Sequence, residues 1–141
     1  MDLFLSLIHI FLHYQPYFDV ATDEIKGAES LLRLKSDDLG LIMPARFIHV
    51  LEETGLIVKA GEWVLEEVIA QLGRWQLEGR ALVPVTVNLS AVQFRTKDLC
   101  RCIRSSMAAA DVDPRILSFE ITESAFIQDV DASEMCIRDS D

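Results

Sequence analysis

Cysteine is scarce: Cys100, Cys102 and Cys136 are the only three in 141 residues. An odd, small number of thiols argues against a disulfide framework and for a reducing, cytoplasmic compartment. Cys100 and Cys102 stand two apart on an expected helix, so they do not share a face, and no second Cys/His pair completes a zinc site. Long apolar runs are missing too. The stretch from Leu3 to Leu12 falls well short of the ~20 residues that span a bilayer, follows Asp2 rather than a basic region, and lacks a small-residue cleavage signal. It is read as neither a signal peptide nor a membrane helix. Positive charge is in deficit, with 13 basic residues against 23 acidic ones and a formal net charge of −10. The resulting field repels polyanions and argues against DNA or RNA as partners, while leaving room for a small phosphate ligand bound through cations.

What is present suits a packed core. Half of the residues are hydrophobic and about a quarter are charged, an ordinary globular composition with neither repeats nor low-complexity tracts. The length allows one modest domain. His13 to Val20 reads as a strand, Thr22-Asp23-Glu24 as a polar turn, and Ile25 to Leu34 as a second strand. Ser36 to Gly40 forms a loop, and Pro44 opens a short helix that stops near Gly55. Val64, Leu65, Val68, Ile69, Leu72 and Trp75 recur at helical spacing, predicting a helix from Gly61 to about Glu78, ended by Gly79. Val83, Val85, Val87 and Leu89 alternate with polar residues, the period-2 mark of a strand beginning near Pro84. A helix from Lys97 to Ala110, a turn at Asp111 to Pro114 and a strand from Ile116 to Glu123 complete the pattern. Strands alternating with helices imply parallel pairing and an α/β fold.

Three polar residues occupy strand positions where burial would normally exclude them: Glu29, Asn88 and Glu120. In the last two strands the polar residue lies opposite the aliphatic face, so both point the same way if the strands are neighbours. In a barrel of parallel strands that face is internal, and polar residues toward the strand C-termini build the site. Two carboxylates and an amide offer only oxygen, which suits Mg²⁺ or Mn²⁺ better than zinc or copper. Taken singly, Glu29 reads as a surface carboxylate and Asn88 as a turn residue; the joint pattern reverses that preference. His49 reads as a packing or surface residue, Trp63 and Trp75 as core packing on a helix whose stripe faces a sheet, and Glu52-Glu53 and Glu66-Glu67 as solvated helix faces. Asn88-Leu89-Ser90 is also a glycosylation sequon, discounted because nothing indicates secretion.

Several motifs carry a resemblance to a known family. They are Tyr14-Gln15-Pro16, Glu29-x-Leu31-x-Arg33, Glu52-Glu53-Thr54-Gly55-Leu56-Ile57, Gly61-Glu62-Trp63-Val64-Leu65, Val87-Asn88-Leu89-Ser90 and Glu120-Ile121-Thr122-Glu123-Ser124. In this order and at these separations, residues 11–129 resemble the N-terminal portion of an EAL domain, the module of bacterial signalling proteins that hydrolyses cyclic-di-GMP. The resemblance implies a modified TIM-type (β/α) barrel, of which about 250 residues are needed and roughly the first half is supplied. It implies a phosphodiesterase yielding linear pGpG, with Glu29, Asn88 and Glu120 as metal ligands. Arg33 would face a substrate phosphate, Gln15 would contact the dinucleotide, and Glu123 would steady a catalytic loop. The competing reading of Arg33 is an exposed pair with Asp37 or Asp38, worth ~0–1 kcal/mol.

Two departures from the family pattern stand out. Ser30 replaces the alanine of the naming motif, a small-for-small change expected to matter little. The family's later ligands, an Asp-Asp-Phe-Gly segment followed by a lysine and a glutamate, do not follow Glu123, so the chain is expected to be an inactive, truncated domain of marginal stability. Residues 1–10 and 130–141 have no family counterpart and are read as non-native sequence. A half barrel leaves sheet edges unpaired, compatible with a homodimer. The resemblance also implies sensor or GGDEF domains in the parent protein. A degenerate EAL domain that binds cyclic-di-GMP or a protein without cleavage is the alternative.

Overall fold

Alternation within Val85–Leu89 decides the layering of the protein. Val85, Val87 and Leu89 are 0%, 1% and 3% exposed, whereas Asn88 between them is open to solvent. Successive strand side chains point to opposite faces, so one face of the sheet is core and the other is free. The computed structural model describes residues 8–94 and 99–121. Strand β1 (Ile8–Phe18) leads into β2 (Ile25–Ser36) and a short β3 (Gly40–Ile42); helices α1 (Ile48–Glu53) and α2 (Ile57–Leu77) follow. Strand β4 (Val85–Leu89), one-turn helix α3 (Ala91–Phe94), helix α4 (Leu99–Ala109) and strand β5 (Leu117–Ile121) complete the order.

The sheet runs β1-β2-β4-β5. Strands β2, β4 and β5 are parallel, with Ala28–Ser30 beside Val85–Val87 and Val85–Leu89 beside Leu117–Ile121. This is the expected crossover pattern, with α2 joining β2 to β4 and α4 joining β4 to β5. Strand β1 instead runs antiparallel to β2, from Phe18 opposite Ile25 to Ile8 opposite Ser36.

Helix α2 covers the core face. Val64, Leu65, Val68, Ile69 and Leu72 form one buried stripe on it, and they cluster with Val85, Val87, Met107, Val112 and Leu117. Burying each such side chain is worth about 1.5–3 kcal/mol relative to exposure. Trp63 and Trp75 pack against the same cluster, as their spacing predicts. Gly79 takes a φ of +69° just past the end of α2, the left-handed conformation that glycine adopts at least cost.

Some boundaries differ from expectation. Strand β1 starts at Ile8, five residues ahead of His13, because its pairing with β2 continues along the apolar run. Helix α2 starts at Ile57, which is buried and anchors the first turn. Strand β4 starts at Val85, immediately after Pro84, whose carbonyl accepts the Ala28 N–H at 2.9 Å. The short β3 and α3 carry too few residues for a periodic signal.

Candidate metal and phosphate site

Register places the polar residues together on the face turned away from α2. Gln15 stands opposite Glu29, Glu29 opposite Thr86, Thr86 opposite Ser118 and Asn88 opposite Glu120. Paired residues on neighbouring strands share a face, so all six project to one side. Asn88 lies one pleat further along than Thr86, and its Nδ2 donates to Glu29 Oε1 at 2.6 Å. With the amide nitrogen committed to one carboxylate, the amide oxygen remains as an acceptor. Glu120 sits on the other side of the same amide, one strand away.

Among the described residues, neither Glu29 nor Glu120 has a basic partner. Two carboxylates on one face therefore generate a negative potential that a cation would relieve. No three His, Cys, Asp or Glu side chains converge among the described residues; the grouping is two carboxylates and an amide. Cys100 and Cys102 are exposed, and His49 is exposed as well.

Arg33 shares the face of Glu29, four residues further along β2. It is half-buried, and its Nη1 donates to the Leu32 carbonyl at 2.9 Å. Among the described residues it makes no ion pair with Asp37 or Asp38. Gln15 is exposed beside Glu29. Glu123 lies outside the described residues.

One edge of β2 forks at this place. It pairs with β4 through Ala28–Ser30 and with β3 through Leu34–Ser36, which leaves Leu31–Arg33 between the two ladders. A cavity of about 280 Å³ opens there, lined by Leu31, Pro44, Ile48, Asn88 and Gln93 among others. Ile57, Ala60, Gly61 and Val64 of α2 also line it, whereas Glu29, Arg33 and Glu120 do not, so the cavity lies on the helix side of Asn88.

Ser30 is 4% exposed, and its Oγ donates to the Thr86 carbonyl at 3.0 Å. It belongs to the core face, away from Glu29, so the departure from alanine is absorbed by a cross-strand hydrogen bond. Tyr14 also faces the core, edge-on to Trp75 with ring centroids 5.2 Å apart. Burial, aided by the nearby Glu67 carboxylate and opposed by Arg74, pushes its phenol up to about 12. Sequence reasoning passed over Gln93, which is 5% exposed and lines the cavity. The available signal was Ser90-x-x-Gln93, a capping-box pattern.

Parallel strands β2, β4 and β5 with carboxylates and an amide on one face have the form of a TIM-type barrel segment, whose sites are built from polar residues at the strand ends. The family model for the EAL domain matches residues 4–139. The chain therefore belongs to the EAL domain family, and its fold is part of that family's TIM-type barrel. It is 41% identical over 122 residues to the bifunctional diguanylate cyclase/cyclic di-GMP phosphodiesterase MucR of Pseudomonas aeruginosa, matching 86% of this chain and 18% of that protein. It is 40% identical over 123 residues to the signaling protein YkoW of Bacillus subtilis, matching 87% of this chain and 15% of that protein. The chain thus spans less than a fifth of the length of these curated relatives. A solved structure of the PaMucR phosphodiesterase in complex with c-di-GMP superposes with a TM-score of 0.85 at 38% identity, covering 92% of this chain and 53% of that one.

EAL domains are generally metal-dependent, and the donor set here fits a metal. Glu29, Asn88 and Glu120 would supply oxygen from three adjacent strands of the sheet, and the hydrogen bond between Asn88 and Glu29 would orient the amide in advance. No helix among the described residues is long and apolar enough to cross a membrane.

Proposed function

We propose that this chain belongs to a metal-dependent phosphodiesterase that hydrolyses cyclic-di-GMP to linear pGpG in the cytoplasm. The observation that carries the reading is the Glu29–Asn88 hydrogen bond with Glu120 in register beside it, on the inner face of an EAL barrel segment. Glu29, Asn88 and Glu120 hold Mg²⁺ or Mn²⁺. When bound, such a cation activates water and offsets charge on the phosphodiester. The chain's acidity supports this assignment: a dinucleotide with two phosphates would be repelled by two bare carboxylates, so a cation is needed between them.

Arg33 faces one phosphate of the ligand. Its half-buried stem and its bond to the Leu32 carbonyl hold the guanidinium on the ligand face, where it adds positive charge and directional donors. Gln15, opposite Glu29, contacts the dinucleotide. Glu123 steadies a catalytic loop. The 141 residues contain no Asp-Asp-Phe-Gly segment, so taken alone they are expected to show no turnover.

The test is hydrolysis of cyclic-di-GMP by the full-length protein with Mg²⁺ or Mn²⁺. Turnover is expected, with a loss of at least about tenfold in Glu29→Gln and Asn88→Ala. Tight binding of cyclic-di-GMP without hydrolysis would replace this reading with that of a non-catalytic binding module.

A further inference from the structure

We propose that Gln93 is a positioning residue for Asn88, fixing the exit of β4 through a reciprocal cap and a notch in helix α2. The inference rests on the reading of Asn88 as a metal ligand. Gln93 Oε1 accepts the Ser90 backbone N–H at 3.0 Å, and Ser90 Oγ accepts the Gln93 N–H at 3.4 Å. Ser90 is two residues beyond Asn88, with buried Leu89 between them. Leu89 fixes which face Asn88 presents, and the cap fixes where the chain turns immediately afterwards.

A second observation comes from the other side of the amide. Gly61 lies inside α2, where a Cβ would sit 1.5 Å from Gln93 Nε2 and 2.6 Å from its Cδ. The helix therefore presents bare backbone to the Gln93 carboxamide, and any side chain at residue 61 would displace it. Gln93 also lines both the cavity beside Asn88 and a second of about 130 Å³ that includes α4 residues Leu99, Cys102 and Ile103. The carboxamide is thus a shared wall, held from one side by Gly61 and from the other by Ser90.

A plain helix cap would influence folding alone, whereas a positioning residue also sets metal affinity. The experiment uses the full-length protein and Mn²⁺ alone as probe, with its dissociation constant measured beside amide hydrogen exchange in the metal-free state. Gln93→Ala is expected to weaken Mn²⁺ binding about tenfold, the usual scale for residues that orient a metal ligand, and to speed exchange at Ser90. Gln93→Glu retains the acceptor that a capping box requires and is expected to bind Mn²⁺ as the unaltered protein does. Gly61→Ala should mimic Gln93→Ala, and the double variant should be no weaker than Gln93→Ala, since neighbouring residues that act as a unit are not additive.

Unchanged Mn²⁺ affinity in Gln93→Ala, or an equal loss in Gln93→Glu, would overturn the proposal. If Gln93→Ala does not fold, Gly61→Ala against Gln93→Glu decides: a tenfold gap supports positioning and equal affinity overturns it. Loss of Mn²⁺ binding in Glu29→Gln with none in Gln93→Ala sinks only the role of Gln93. Equal Mn²⁺ binding by Glu29→Gln and the unaltered protein sinks the metal reading itself.

Discussion

The two faces of the sheet do different work with the same strands. Along Val85–Leu89 the buried residues Val85, Val87 and Leu89 join the α2 stripe, while Thr86 and Asn88 belong to the row that includes Glu29 and Glu120. Stability and the proposed chemistry are separated by a single residue step. The period-2 geometry makes them independently variable, because a side chain cannot serve both faces. A one-residue slip of register would exchange the two sets and destroy both functions together.

The largest expected effect breaks the core face. Leu72 is fully buried against the sheet, so Leu72→Ala removes apolar contacts and leaves a cavity, at a cost of about 2–5 kcal/mol. Domains of this size have only about 5–15 kcal/mol in total. Chemical denaturation should show a large drop in midpoint or loss of the cooperative transition. An unchanged midpoint would show that the α2 stripe does not hold the sheet.

A smaller effect should appear at alkaline pH, again on the core face. The Tyr14 phenol is raised from 10.0 to about 12 chiefly by burial, so the folded state holds this proton more tightly than the unfolded chain. Its contribution to stability is fully present below pH 10 and is lost as pH rises toward 12. The side chain is only half-buried, so solvent screening keeps the loss below that of Leu72→Ala. Absorbance titration of the phenolate should give a Tyr14 midpoint near 12, and a midpoint near 10 would contradict its packing against Trp75.

Much of this division was legible in the sequence because periodicity reports local geometry directly. The alternation of Val85, Val87 and Leu89 and the helical spacing from Val64 to Trp75 needed no partner to be read. The shared face of Asn88 and Glu120 was also inferable, since parity follows once the strands are neighbours, whereas strand β2 has no clean alternation from which to read the face of Glu29. Register was not: the Asn88–Glu29 hydrogen bond joins residues 59 apart in sequence, and nothing local sets that distance. Gly61 illustrates the limit from the other direction. Glycine reads locally as a helix boundary, yet here it is interior to α2, and Gln93 occupies the space of its missing side chain. Strand β3 escaped because three residues have no period.

The smallest effect sharpens the comparison most, because it lies next to a proposed ligand in sequence and on the opposite face in space. Ser30→Ala installs the residue that gives the EAL motif its name. It removes the hydrogen bond from Ser30 Oγ to the Thr86 carbonyl, a loss of about 0.5–1.5 kcal/mol. The methyl group that remains is compatible with the apolar layer around it, which keeps the cost at the lower end. Glu29 points the other way, so Mn²⁺ affinity in the full-length protein should not change while the denaturation midpoint falls slightly. A shift in metal affinity with no change in midpoint would mean that the cross-strand bond, rather than the alternation of the strand, sets the position of Glu29. The separation of the two faces would then fail at the residue where it is most exposed to test.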